Sequence, residues 1–113
     1  MSIFRVGTFM VKTEKQEAFK SLWQRFLKYQ KENPEKFKEL KSGYKLFTQM
    51  FGGMRGAYSM IVEFDSLADL EKYMTRMLED EETKKIVQEF HLLIDPSTYS
   101  LNIWKTVKQV KKS

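Results

Sequence analysis

The sequence predicts an α+β fold in a single domain. Its 113 residues are enough for one hydrophobic core, and 42% hydrophobic with 31% charged residues is typical of a globular domain. Short stretches rich in β-branched and aromatic residues alternate with longer stretches whose apolar residues recur at helical spacing. Capping and turn residues separate these stretches, which follow the order strand, helix, strand, strand, helix, strand.

The first two predicted elements are a strand at 3–12 and a long helix. Thr13 and Gln16 have the spacing of a capping box, so the helix is predicted to run from there to about residue 32. Its apolar stripe recurs every three or four residues and comprises Phe19, Leu22, Trp23, Phe26 and Leu27. Asn33-Pro34 ends the helix and begins a short turn.

The middle of the chain predicts a β-hairpin. Strands at 44–51 and 57–64 flank a glycine-rich turn and are close enough in sequence to pair with each other. Ser66 and Asp69 then form a second capping box, ahead of a helix at 67–79.

A further helix at 81–94 and a strand at 99–107 complete the domain, separated by Pro96. The order βαββαβ is that of the ferredoxin-like fold, a four-stranded antiparallel sheet with helices on one face. The predicted domain is 1–107, and residues 108–113 are predicted to form a basic C-terminal tail.

Composition excludes several classes of function. The absence of cysteine rules out disulfides, cysteine nucleophiles and thiolate zinc sites. His91 is the only histidine, so no metal site is predicted, and no cofactor is predicted either. No stretch is long and apolar enough for a membrane span, and MSIFRVGTF lacks the pattern of a signal peptide, which predicts a cytoplasmic protein.

The net charge of +5 is modest, and part of it lies near the C-terminus. The basic residues there are Lys105, Lys108, Lys111 and Lys112. A terminal lysine cluster is most often a solvated end, and the alternative is a salt-dependent contact with nucleic acid.

The stretch RGAYSMIVEF, residues 55–64, nearly matches the start of an RNA-recognition signature. Alternation places four apolar residues of this strand on the side expected to face the helices: Tyr58, Met60, Val62 and Phe64. Ala57 and Ser59 then occupy the open-face positions, where base stacking would need aromatic side chains. RNA recognition by the sheet is therefore the less favoured interpretation.

The sheet face without helices is predicted to be mixed, too apolar for free exposure and too polar for a core. Its expected residues are Arg5, Gly7, Phe9 and Val11, then Lys45, Phe47, Gln49 and Phe51, then Ser59, Ile61 and Glu63, then Ser100, Asn102 and Trp104. Such a face invites covering by a partner, and a second copy would close a barrel with a partly polar interior. That interior could be a dimer interface with paired charges or a small-molecule site.

Three segments carry a family resemblance: FTQMFGG, YSMIVEFDSLADLEKY and EETKKIVQEFHLLIDPSTYS...IW. Together they resemble the NIPSNAP-like branch of the dimeric α/β-barrel superfamily, over nearly the whole chain. The resemblance implies a ferredoxin-like subunit and a homodimer built face to face across the sheets. The superfamily includes antibiotic-biosynthesis-type monooxygenases and haem-degrading enzymes. The haem-degrading enzymes use a histidine, a tryptophan and a first-strand asparagine. Of these three, only the histidine has a counterpart in the expected place, His91.

The predicted function is the binding, or the cofactor-independent oxidation, of a small aromatic or anionic molecule inside the barrel. The predicted ligand-binding residues are Arg5 and Lys45 for an anion, Phe47 and Trp104 for a ring, and Gln49, Ser59 and Asn102. His91 or Glu63 is the candidate group for proton transfer. The alternatives are a non-catalytic binding or interaction protein and, less favoured, an RNA-binding domain.

Overall fold

The computed structural model describes residues 1–107; the predicted basic tail at 108–113 lies outside the described residues. Four strands form one antiparallel sheet in the order β2-β3-β1-β4. They are β1 (Ile3–Val11), β2 (Lys45–Thr48), β3 (Tyr58–Phe64) and β4 (Ile94–Lys105). The α-helices of the described chain are α1 (Gln16–Glu32), α2 (Leu67–Glu79) and α3 (Glu81–Leu93). The predicted ferredoxin-like α+β fold is confirmed.

Cross-strand pairing shows which side chains share a face of the sheet, because directly opposed residues of antiparallel strands project to the same side. Arg5 of β1 pairs with Val62 of β3, and Phe9 pairs with Tyr58. Val62 and Tyr58 pack in the core beneath the helices, as the sequence predicts. Arg5 and Phe9 therefore face the helices as well.

The prediction therefore assigned the side chains of β1 to the wrong faces of the sheet. Arg5, Gly7, Phe9 and Val11 were expected on the open face, yet Phe9 is 0% exposed and Val11 is buried. A central strand has apolar residues on both sides, so alternation alone does not identify its inward side. The β1 residues on the open face are Phe4, Val6 and Thr8, opposite Glu63, Ile61 and Ser59.

The core between sheet and helices consists of two clusters. The first packs Phe64 of β3 against Leu70 and Tyr73 of α2. The second surrounds Phe9, whose ring meets those of Phe19 and Phe90 edge-on at centroid distances of 5.5 and 4.8 Å. Buried aromatic pairs with this geometry stabilise the fold beyond the area they bury. Of the predicted α1 stripe, Leu27 alone is exposed.

The predicted capping box at the start of α1 does not form. Residues 13–15 make a 3₁₀ turn, and no side chain caps the start of either that turn or α1. The Gln16 amide instead donates to the Val11 carbonyl and accepts from the Tyr58 hydroxyl, both at 3.2 Å, which joins α1 to the sheet. The predicted Ser66 cap of α2 is confirmed by its hydroxyl, which accepts from the Asp69 backbone N–H at 3.1 Å.

Strand β4 begins at Ile94, five residues earlier than predicted, so Pro96 lies inside it. An edge strand tolerates proline because one row of its N–H groups has no strand partner. The pairing of β1 with β4 shifts between Thr8 and Met10, where the Thr98 hydroxyl accepts from the Met10 N–H at 2.9 Å.

Strand β2 ends at Thr48, three residues earlier than predicted, and a longer turn joins it to β3. Gly52 and Gly56 have φ angles of +112° and +92°, which side chains rarely adopt, so the turn requires glycine at both positions. No helix within residues 1–107 is long and apolar enough to cross a membrane.

Candidate ligand-binding cavity

A cavity of about 270 Å³ lies between the sheet and the helices. Each α-helix and both central strands contribute to its walls, which are mostly aromatic, aliphatic or methionine side chains. These include Phe19, Leu22, Trp23 and Phe26 of α1, Met77 of α2, Ile86 and Phe90 of α3, and Met60 of β3. Apolar walls with a few polar groups are typical of small-molecule sites.

Arg5 brings a positive charge into this apolar cavity. Its Nε atom is buried and has no hydrogen-bond partner. None of the ion pairs formed among residues 1–107 includes Arg5. A buried polar atom without a partner is costly, so the Nε of Arg5 is a hydrogen-bond donor left available to a molecule in the cavity.

Two tyrosine hydroxyls meet beside Arg5. The Tyr44 and Tyr73 oxygens are 2.6 Å apart and share a hydrogen bond. Burial raises the pKa of both hydroxyls, and the Arg5 charge opposes that effect without overcoming it. Both phenols are therefore protonated and neutral at physiological pH.

The outer part of the cavity wall is formed by more exposed side chains from the helices. Leu78 of α2 is 69% exposed and Val87 of α3 is 44% exposed. The exposed His91 lies beside Tyr99, with ring centroids 6.2 Å apart. The imidazole of His91 is thus exposed to solvent and also lines the cavity.

The predicted site residues separate onto two faces of the sheet. Arg5 and His91 line the cavity on the helix side. The register places six others on the open face: Lys45, Phe47, Ser59, Glu63, Asn102 and Trp104. Gln49 belongs to neither group, because it lies in the turn after β2, where its amide donates to the Phe51 carbonyl at 2.7 Å.

Glu63, the other candidate acid or base, lies on the open face of the sheet and does not line the cavity. The Ser2 hydroxyl donates to its carboxylate at 2.5 Å, and Lys41 lies 3.5 Å away. The Ser2 hydrogen bond is the largest effect on the pKa of Glu63 and lowers it, with Lys41 acting in the same direction. The Glu63 carboxylate is therefore ionised at neutral pH. It lies on the open face of the sheet, whereas His91 lines the cavity on the helix side.

Sequence reasoning missed the tyrosines at the polar end of the cavity. Tyr73 lies within the predicted helix at 67–79, and Tyr44 begins the predicted strand at 44–51. A buried tyrosine normally finds a hydrogen-bond partner, so a tyrosine at a core position was the available signal. It could not show which hydroxyl would meet another, because that depends on how α2 packs against the chain before β2.

A separate polar cluster lies at the junction of α2 and α3. Asp80 accepts from the Tyr29 hydroxyl and from Lys36, both at 2.6 Å. It also caps α3 by accepting from the Thr83 backbone N–H at 3.1 Å. Burial would raise the pKa of Asp80, but the hydrogen bonds from Lys36, Tyr29 and Thr83 together outweigh it and lower that pKa. This cluster joins three parts of the helical layer.

Metal binding receives no support from side-chain placement in the described part of the chain. Residues 1–107 contain no group of three or more histidine, aspartate or glutamate side chains arranged to hold an ion. The cavity offers a guanidinium, phenols and one imidazole, which suit an organic ligand with acceptor atoms.

The fold is shared with several solved proteins of low sequence identity. No protein-family model and no curated protein matches the chain. A NIPSNAP family protein from Agrobacterium tumefaciens is similar in structure, with 17% identity, a TM-score of 0.71, and coverage of 93% of this chain and 92% of that one. An antibiotic biosynthesis monooxygenase is also similar, with 15% identity, a TM-score of 0.65, and coverage of 94% of this chain and 99% of that one. SnoaB from Streptomyces nogalater, a cofactor-independent oxygenase, has 12% identity and a TM-score of 0.66, and the match covers 98% of each chain. The resemblance predicted from the sequence is confirmed at the level of the fold.

Proposed function

We propose that this protein binds a small aromatic molecule in the cavity between its sheet and its helices. The observation that carries the proposal is the cavity itself, about 270 Å³ in volume and walled by aromatic side chains from α1 and α3. Ligand pockets of drug-sized molecules measure roughly 300–1,000 Å³, so this cavity, near the lower end of that range, suits a molecule of two or three aromatic rings.

Filling the cavity from the sheet side should abolish binding. Gly7 of β1 faces the cavity side of the sheet, and a Cβ built there would lie 3.9 Å from both the Met60 methyl and the Tyr99 hydroxyl. Gly7→Val should therefore fit the strand while placing two methyl groups in the cavity. We expect it to weaken binding of the neutral dye N-phenyl-1-naphthylamine by roughly tenfold or more, about 1.4 kcal/mol, measured by fluorescence.

The control for this experiment is Ser100→Val, which adds a similar side chain on the open face of β4. It should leave dye binding unchanged. The proposal is contradicted if wild-type protein does not bind the dye, or if both variants weaken binding equally.

We propose oxygenation of the bound molecule as the activity of the site. The support is the fold shared with SnoaB and with an antibiotic biosynthesis monooxygenase, together with His91 at the outer wall of the cavity. His91 is accessible, and an imidazole can both donate and accept a proton, which suits proton transfer to or from a phenol.

Oxygen uptake with 1-naphthol tests this activity. Wild-type protein should consume oxygen above the rate in buffer, and His91→Ala should lower that rate by roughly a hundredfold, the usual contribution of a general acid or base. A loss found with Glu63→Gln and not with His91→Ala would assign proton transfer to the open face. A rate equal to that of buffer would leave binding as the whole function.

We propose a second copy of this chain as the partner of the open face. Phe47 and Trp104 are 52% and 54% exposed there, and Trp104 lies opposite Phe4 in the sheet. An apolar surface of this kind on a single chain indicates an interface. A two-fold axis would bring each copy's apolar residues against the same surface of the other.

A further inference from the structure

We propose that the ligand of the cavity is an aromatic carboxylate whose anionic end is held by Arg5. This inference rests on the proposed function, because it names the chemical class of the molecule in that cavity. The described residues nearest the anionic end are then Arg5, Tyr44 and Tyr73.

The first argument is the missing counter-charge. The buried Nε of Arg5 has no hydrogen-bond partner, and no carboxylate among residues 1–107 forms an ion pair with this guanidinium. Arg76, a partly buried arginine of α2, is paired within the chain. It donates to both carboxylate oxygens of Glu39 and to the Lys36 carbonyl. The guanidinium of Arg76 thus has hydrogen-bond acceptors within the chain, as a structural role requires. The buried Nε of Arg5 has none, and its side chain lines the cavity.

The second argument is the supply of hydrogen-bond donors. One hydroxyl proton of the Tyr44 and Tyr73 pair is used within the pair, and the other has no acceptor among the described residues. A guanidinium offers donors and no acceptors. The polar end of the cavity therefore presents surplus donors, and the ligand that satisfies them carries acceptor oxygens.

The third argument selects a carboxylate among anions. A guanidinium binds a carboxylate through two parallel N–H···O bonds, which matches a single planar anion. Among the described residues that line the cavity, Arg5 alone carries a permanent positive charge, so a phosphate dianion would leave net negative charge among apolar walls. The rings of Trp23, Phe26 and Phe90 surround the remainder of the space, which suits an aromatic body.

Calorimetric titration with 2-naphthoate and its neutral isostere 2-naphthamide tests the assignment. Wild-type protein should bind the carboxylate at least roughly tenfold more tightly than the amide, the lower range of a charged hydrogen bond at about 1.5 kcal/mol. Arg5→Gln should abolish that preference while retaining binding of the amide. Lys45→Gln removes the same charge from the open face and should keep the preference.

Each alternative result decides against the carboxylate in a recognisable way. Equal affinity of wild-type protein for both compounds, or a preference that survives Arg5→Gln, overturns the role of Arg5 and leaves cavity binding intact. A preference lost in Lys45→Gln places the anion on the open face and also overturns it. If both naphthyl compounds fail while N-phenyl-1-naphthylamine binds, the ligand class is wrong. Failure of all three compounds contradicts the proposed function itself.

A second variant guards against misfolding of Arg5→Gln. Arg5→Lys keeps the charge but loses the two-pronged donor geometry, so it should show a reduced preference for 2-naphthoate. A preference equal to that of the wild type would show that charge alone is recognised and would contradict two-point binding of a carboxylate.

Discussion

Replacing Asp80 with alanine is expected to lower the free energy of unfolding by about 3 kcal/mol. The substitution removes the N-cap of α3, which is worth about 1 kcal/mol. It also removes the charge-assisted hydrogen bond from the Tyr29 hydroxyl, worth about 1.5–3 kcal/mol, whereas Lys36 is exposed enough for solvent to screen its contact, which adds little. Urea denaturation of the two proteins at pH 7 measures the difference.

Asp65→Ala is the matched control. Asp65 also contacts a lysine, Lys41 at 3.4 Å, but its side chain is 71% exposed. Surface ion pairs contribute about 0–1 kcal/mol, so this variant should unfold near the wild-type midpoint. Equal losses from Asp65→Ala and Asp80→Ala would contradict a special role for the cluster at the α2–α3 junction.

The effect of Asp80 should depend on pH. Its pKa in the folded protein lies below the ordinary value of 3.8, so folding favours the ionised carboxylate. The stabilisation is fully present above the unfolded pKa and is lost as pH falls through the folded pKa. The stability difference between wild type and Asp80→Ala should therefore be constant near neutrality and shrink below about pH 4. A difference that stays constant to pH 2 would contradict this.

Trp104→Glu is expected to halve the mass of the protein in solution. Wild-type protein should show twice the chain mass of 13.5 kDa by light scattering if a second copy covers the open face. Buried tryptophans are often the residues on which an interface depends, costing about 2 kcal/mol or more when removed. A carboxylate in the same place adds an unpaired buried charge, so the dimer should dissociate at micromolar concentration.

Leu67→Glu is the control for this substitution. Leu67 is 52% exposed, close to the 54% of Trp104, but it begins α2 in the helical layer. Its glutamate variant should remain dimeric. Wild-type protein with a mass of 13.5 kDa would contradict the dimer and leave the aromatic residues of the open face available, which would favour the RNA-binding alternative.

The element order and most helix and strand positions could be predicted from the sequence, because local signals specify them. The alternation in β3 correctly placed Tyr58 and Val62 toward the helices, and Ser66 correctly marked the start of α2. The errors lie where tertiary contacts compete with local signals. Gln16 bonds to the sheet instead of capping α1, and β4 extends through Pro96 because it is an edge strand.

Two residues that line the candidate cavity were predicted from the sequence, but the position of the cavity was not. Arg5 and His91 were identified as candidates, but the expected site on the open face does not coincide with the cavity they line. Side-chain direction in β1 could not be read from alternation, since Ile3, Val6 and Phe9 are all buried although they do not share one face. The position of the cavity follows from helix packing, which no short sequence motif records.

Methyl NMR of methionine-labelled protein, titrated with 2-naphthoate, tests the central claim most directly. Met60, Met74 and Met77 line the cavity, whereas Met50 and Met54 lie in the turn between β2 and β3. We predict saturable shifts of the three cavity methyls, caused by the ring current of the bound ligand, with the turn methyls unchanged. Shifts confined to methyls outside the cavity, or no shifts at saturating 2-naphthoate, would contradict the binding of an aromatic carboxylate between the sheet and the helices.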